Sequence, residues 1–241
     1  MTDRLYQRDS YLKTFTARVT EAAAGGAILD RTAFFPAGGG VLGDVGTLTG
    51  PDGAVHTVVE TVESGKGPLH RVVSPDGHGG LQAGDAVNGA LDWARRYVLM
   101  RYHTATHVLT GVMFKTHGVR VTGNQLTPEK GRVDFAFAEF DRDMLESGFR
   151  RSNEILAQKL EVRVSFVAAD QACARPEWFK LETAFPHDLP ELRLVEIAGF
   201  DIQADGGCHV ANLAEVGRIV LTKSENKGKA NRRVYFVLDP P

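Results

Sequence analysis

Phe15, Ala17 and Val19 alternate with Thr14, Thr16, Arg18 and Thr20, the period of two that a half-buried strand requires. Further short apolar runs follow at 27–29, 58–62, 69–73 and 87–91, punctuated by Pro-Asp-Gly at 51–53 and 75–77. Proline presets one turn angle there and glycine accepts a positive one. The first 90 residues therefore predict a small all-β domain, a partly closed barrel. Near Leu91 the pattern changes. From Asp92 to His117 there is no proline and a single glycine, and Val98, Tyr102, Ala105, Leu109, Val112 and Met113 recur at spacings of three and four. That predicts one helix of about six turns, with Gly118 as its stop. Val133, Phe135 and Phe137 read as a strand, and Asp141 as the N-cap of a helix carrying Leu145, Phe149, Ile155 and Leu156. Val162–Phe166, Leu192–Ile197, Val216–Leu221 and Val234–Leu238 complete a sheet, while 167–191 carries no regular pattern. The expected fold class is α+β: a glycine-rich β domain over 1–90, then an α+β domain over 91–241 whose long helix lies against a mixed or antiparallel sheet.

Composition supports this division. Sixteen of the 26 glycines fall in residues 1–90. Hydrophobic residues make up 43% and charged residues 24%, as in ordinary globular proteins and unlike disordered or fibrous chains. The formal net charge of −2 means that nucleic acid must be met by a local patch. Two cysteines, Cys173 and Cys208, make no disulfide framework. No apolar run approaches the ~20 residues that span a bilayer, and the N-terminus lacks the apolar stretch of a secretion signal. The expectation is a reduced, cytoplasmic protein with no membrane partner, monomeric by default.

Four segments can carry chemistry. In Tyr102-His-Thr-Ala-Thr-His-Val108 the histidines His103 and His107 stand four apart on one helix, so both imidazoles share a face and can meet one metal ion. Thr104 stands where a zinc protease needs glutamate, which excludes that motif. Asp205-Gly-Gly-Cys-His209 places a carboxylate, a thiol and an imidazole around a double glycine, and a ligand from this turn would complete a tetrahedral site. The run Phe35-Pro-Ala-Gly-Gly-Gly-Val-Leu-Gly-Asp44 lacks a Gly-Lys-Ser/Thr ending. It reads either as a β-turn or, through Gly39 and Gly40, as backbone able to approach a phosphate or ribose. From Arg218 onward six basic residues face two acidic ones, so Lys227, Lys229, Arg232 and Arg233 form either a phosphate-binding patch or a solvated hairpin tip. The remaining histidines read as structural or solvated.

His-Thr-Ala-Thr-His, Asp-Ile-Gln-Ala-Asp-Gly-Gly-Cys-His-Val, Glu-Val-Gly and Glu-Asn-Lys-Gly-Lys-Ala-Asn-Arg-Arg together resemble the editing domain of alanyl-tRNA synthetase. Phe-Phe-Pro-Ala-Gly-Gly-Gly…Gly-Asp-Val-Gly is similar to the domain that precedes it in the medium-length, free-standing AlaX proteins. The resemblance runs from about Ala33 to Arg233. It implies a trans-editing hydrolase, since 241 residues leave no room for an aminoacylation domain. Such an enzyme deacylates mischarged tRNA(Ala), chiefly seryl- and also glycyl-tRNA(Ala), because a pocket for alanine rejects these weakly by binding alone. It implies one Zn2+ per chain held by His103, His107 and His209. The fourth position stays open: Asp205 replaces the family's usual cysteine, Cys208 stands where threonine is usual, and water is the third choice. Three histidines with Asp205 or water is the favoured set. Thr104 or Thr106 would then hydrogen-bond the seryl hydroxyl or simply its own helix, and the basic turn would grip the tRNA(Ala) acceptor end. A zinc-stabilised tRNA-binding module without turnover, or an editor of a different mischarged tRNA, are the alternative readings.

Overall fold

The computed structural model describes residues 1–23, 25–75, 79–137, 142–180, 190–228 and 231–239. Its contacts divide the chain into two units, Met1–Leu99 and Met100–Pro241.

The first unit holds β1 (Asp3–Arg4), β2 (Thr14–Ala23), β3 (Gly26–Leu29), β4 (Arg31–Thr32), β5 (Gly46–Thr49), β6 (Val55–Val62), β7 (Leu69–Val73) and β8 (Ala86–Leu91). Six of them close into an antiparallel barrel in the order β2-β3-β7-β6-β5-β8. The alternation in β2 works as expected: Phe15, Ala17 and Val19 point into a core shared with Leu29, Phe34, Leu48, Val58 and Val87. The barrel is closed rather than partly closed. The closing strand is β5, whose Gly-Thr-Leu-Thr offers a single apolar residue, Leu48, and so gave no period-two signal. Closure removes the exposed edges that an open sheet would present.

The glycine-rich run is anchored from inside this unit. Asp44 is buried, and its Oδ2 accepts the Phe35 amide at 2.6 Å. Arg96, also buried, donates from Nε to both Asp44 oxygens at 2.9 Å and hydrogen-bonds the carbonyls of Ala33 and Ser10. Gly38 and Val41 exchange two backbone hydrogen bonds, leaving Gly39 (φ 58°) and Gly40 (φ 81°) as the exposed corner. Two successive positive angles are the signature of a type I′ hairpin turn, which glycine adopts without a steric penalty. His70 is buried in the same unit, its Nδ1 on the Ala27 carbonyl and its Nε2 on the Thr32 hydroxyl. Burial lowers its pKa to about 4.

The unit boundary falls inside helix α1 (Trp93–His117). The helix stops as expected, with Gly118 at φ 67° and its amide on the Phe114 carbonyl. The second unit continues with β9 (Val121–Leu126), β10 (Gly131–Ala136), α2 (Arg142–Leu156), β11 (Val162–Ala168), α3 (Ala169–Cys173), β12 (Glu191–Ile197), β13 (Asp201–Ala204), β14 (Arg218–Asn226) and β15 (Asn231–Asp239). The strands expected to complete one sheet form two antiparallel ones, β14-β15-β10-β9 and β11-β12-β13. β9 and β13 are largely polar (Val-Thr-Gly-Asn-Gln-Leu and Asp-Ile-Gln-Ala), so hydrophobic patterning passed them over. Leu109 and Met113 of α1 and Leu145 of α2 are buried in this unit along with Val133, Phe135, Val234 and Phe236 of the four-stranded sheet. The Phe236 ring meets Tyr102 at 5.7 Å and Phe149 at 6.4 Å. The expected N-cap Asp141 lies outside the described residues, as do 181–189 of the irregular stretch. Among the described residues, no helix is long and apolar enough to cross a membrane.

Candidate metal centre

α1 and the turn after β13 bring four ionisable side chains together. His103 and His107 lie one helical turn apart, as their spacing required. His209 and Asp205 come from the glycine turn. One ligand atom from each of the four lies within 4.8 Å of all the others. The three imidazoles present Nε2 to the same carboxylate: His103 at 3.4 Å, His107 at 3.7 Å and His209 at 3.2 Å from Asp205 oxygens. The histidines are buried, while the Asp205 side chain keeps 21% exposure.

The surroundings fix which nitrogen faces inward. His103 Nδ1 donates to the Cys208 carbonyl at 3.3 Å, so its Nε2 is the nitrogen turned toward Asp205. His209 Nδ1 lies 3.1 Å from Thr104 Oγ1, which also accepts the Val210 amide at 3.2 Å. Gly207 allows the turn to lie this close, since a Cβ there would sit 2.6 Å from His103 Cε1. Its amide donates to Asp205 Oδ1 at 2.6 Å and orients the carboxylate. Burial lowers the pKa of His107 and His209. Burial alone would raise that of Asp205, but the charge and hydrogen bonds of His103, with those of His107 and His209, hold it well below the usual carboxylate range.

Three imidazole nitrogens and a carboxylate thus converge, an arrangement that could hold a metal ion. Three nitrogens and one oxygen suit zinc. Asp205 belongs to this group and Cys208 does not. Cys208 is buried and contributes its backbone carbonyl to His103.

The two threonines part company. Thr104 bridges the His209 ring and the Val210 amide, whereas Thr106 donates to the Tyr102 carbonyl of its own helix at 2.8 Å. Both are buried. Two supporting residues were not singled out in the sequence. Gln203 Nε2 donates to the His107 carbonyl and to Asp201 Oδ2, both at 2.9 Å. Arg193, buried in β12, brackets Asp205: its NH1 donates to the Asp205 carbonyl at 2.9 Å, and its own carbonyl accepts the Asp205 amide at 3.0 Å. Signals existed for both. Gln203 stands two residues before Asp205 in an extended stretch, hence on the same side, and Arg193 interrupts an apolar strand at a position flanked by leucines.

The expected basic residues do not all stand as free charges. Arg233 makes a bidentate pair with Asp134 at 2.7 and 2.8 Å, which raises its own pKa. Lys223 and Lys227 share Glu225 at 2.5 and 3.2 Å, and their hydrogen bonds lower that carboxyl to about 2. Arg232 sits half-buried opposite Asn226, and Lys229 lies outside the described residues. Gly39 and Gly40 form the exposed corner of the first unit.

Comparison with known proteins bears on these features directly. A family model described as tRNA synthetases class II (A) matches residues 9–95, and one described as Threonyl and Alanyl tRNA synthetase second additional domain matches 192–235, the stretch holding Asp205 and His209. The chain is 40% identical to an alanyl-tRNA editing protein AlaX-M of Saccharolobus solfataricus over 241 residues, all of both proteins. It is 43% identical to an AlaX-M of Methanosarcina mazei over 246 residues, covering 99% of this chain and 97% of the relative. An alanine–tRNA ligase of Ignicoccus hospitalis is 35% identical over 239 residues, which span 98% of this chain and 26% of the ligase.

Proposed function

Because the chain belongs to the AlaX-M family of alanyl-tRNA editing proteins, we propose that it is a trans-acting deacylase of mischarged tRNA(Ala). Seryl-tRNA(Ala) is the first substrate and glycyl-tRNA(Ala) the second, hydrolysed at a zinc site of His103, His107, His209 and Asp205. The buried four-residue cluster carries this reading. Zinc bound there supplies Lewis-acid polarisation of the ester carbonyl.

The chain's own residues do the rest. His103 is held in its ligating tautomer by the Cys208 carbonyl, and the His209 ring is fixed by Thr104. Gln203 ties the His107 backbone to β13. Asp205 is the one member of the group open to solvent. As a carboxylate it accepts a hydrogen bond from the attacking water rather than donating a proton. Lys227, Lys229, Arg232, Arg233, Gly39 and Gly40 are proposed as contacts to the tRNA backbone.

Parallel deacylation of seryl-, glycyl- and alanyl-tRNA(Ala) and of an unrelated mischarged tRNA tests the reading. Hydrolysis of the first two, sparing of the others and close to one zinc per chain are expected. Zinc without turnover on any of them would leave a tRNA-binding module instead. Asp205→Cys is expected to keep zinc and Asp205→Ala to lose it. If Cys208→Ser empties the site and Asp205→Ala does not, the ligand set is wrong.

A further inference from the structure

We propose that the outward face of the β14-β15-β10-β9 sheet is a platform for unpaired RNA, with a base stacked on Tyr235 and phosphates held by Lys130, Arg132 and Lys223. The proposal rests on tRNA being the substrate and deepens that reading.

Strand alternation defines the face. Val234 and Phe236 of β15 and Val133 and Phe135 of β10 are fully buried, so the residues between them, Tyr235, Arg132 and Asp134, point the other way. Register then lines up a row across all four strands. Lys223 lies opposite Tyr235, Tyr235 opposite Arg132, and Arg132 opposite Gln125. Lys130 and Lys223 place their ammonium groups 5.6 and 6.0 Å from the centre of the Tyr235 ring. Arg132 is half-exposed, and its Nε is buried without a hydrogen bond to any described residue. Lys223, Lys130 and Gln125 are exposed, and Tyr235 is half-exposed.

Charge favours a polyanion. Asp134 is consumed by Arg233. Lys130, Arg132, Lys223 and Lys227 then face Glu225, which two of the lysines share, and the exposed Glu129. This local excess stands out in a chain of net charge −2. An aromatic ring ringed by cations on an open sheet is suited to single strands, because every base offers a π-face for stacking and each phosphate a charge for a lysine or arginine. A duplex hides its base faces and would leave Tyr235 unused.

The test uses the full chain with uncharged tRNA(Ala) and with an unstructured RNA octamer, titrated across a range of salt. Tyr235→Ala is expected to weaken both about tenfold and Tyr235→Phe to retain binding, since stacking needs the ring and not the hydroxyl. Lys130→Gln with Lys223→Gln should lower the slope of log affinity against log salt by about one per lost contact. This pair also serves if Tyr235→Ala fails to fold. Octamer binding unchanged in Tyr235→Ala, with the salt slope unchanged in the lysine pair, overturns the platform. So does equal competition by poly-glutamate at matched charge, which would assign the face to an acidic protein. Because the octamer carries no ester, a wild-type protein that hydrolyses no mischarged tRNA overturns the editing reading and leaves this measurement standing.

Discussion

Asp44 and Asp205 are the carboxylates at the centre of the two motifs that stand out in the sequence, and they are treated in opposite ways. Asp44 receives a full set of donors: the Arg96 guanidinium on both oxygens and the Phe35 amide. Its charge is neutralised inside the barrel unit, and nothing further is needed. Asp205 receives one amide, from Gly207, and otherwise faces three imidazole nitrogens. His103 Nδ1 directs its hydrogen to the Cys208 carbonyl. A closed network of donors and acceptors holds a fold together, whereas converging acceptors wait for a cation. The contrast separates structure from site where residue type alone does not.

The sharpest way to break it is His107→Ala. Zinc should be lost and deacylation of seryl-tRNA(Ala) should fall to the uncatalysed rate, read by elemental analysis and ester hydrolysis. Metal-free wild type and variant should melt alike. A variant that keeps both zinc and turnover would remove His107 from the site. Asp44→Ala should do the reverse: zinc stoichiometry stays, and the barrel unit loses about 3–5 kcal/mol because Arg96 is left as an unpaired buried charge. Asp44→Leu combined with Arg96→Met should recover part of that loss in a urea titration. If Asp44→Ala costs nothing, the pair does not hold the glycine-rich run.

How much of this the sequence disclosed follows the same physics. Where one face is buried and the other wet, as in β2, or where apolar residues recur every three or four, as in α1, the pattern is legible. β5, β9 and β13 were missed because Gly-Thr-Leu-Thr, Val-Thr-Gly-Asn-Gln-Leu and Asp-Ile-Gln-Ala carry too little apolar alternation. Their membership is decided by partner strands that are distant in sequence. The four clustered residues were legible because His103 and His107 share a helix face and because Asp205 and His209 stand four apart around a double glycine. The supports were less so. Arg193 and Gln203 stand at conspicuous positions in their strands, but they and the Cys208 carbonyl act through backbone groups, whose contacts no residue-type pattern reports. The pairing of Arg233 with Asp134, 99 positions away, likewise escapes a count of charges along the chain.

A smaller effect sharpens the comparison from the barrel side. Buried His70 has a pKa of about 4 in the folded protein, against ~6.5 for an unfolded histidine. The unfolded chain therefore takes the proton first, and stability is lost as pH falls from ~6.5 to ~4, by about 3 kcal/mol in all, with no further loss from this group below that. Chemical denaturation at several pH values should show that step in the wild type and not in His70→Gln. An NMR titration placing His70 near 6.5 would mean that its ring is hydrated and the closed network around it is open.

The smallest effect concerns Thr104, which is the closest thing in the metal centre to a barrel-type closed contact. Its hydroxyl oxygen accepts the Val210 amide and meets His209 Nδ1, so that His209 Nε2 is the nitrogen left to face Asp205. Thr104→Val keeps the shape and removes the oxygen. Such outer contacts are typically worth about 10–100-fold in metal affinity, and competition with a chelator should show a loss in that range. The Co2+-substituted spectrum should broaden or shift as His209 loses its orientation. Thr104→Ser restores the oxygen and should restore both. If Thr104 instead read the seryl hydroxyl, Thr104→Val would leave zinc affinity intact and lower the preference for seryl- over glycyl-tRNA(Ala). The buried position of Thr104 and its two protein partners argue for the first outcome, in which zinc affinity falls and the substrate preference stays where it was.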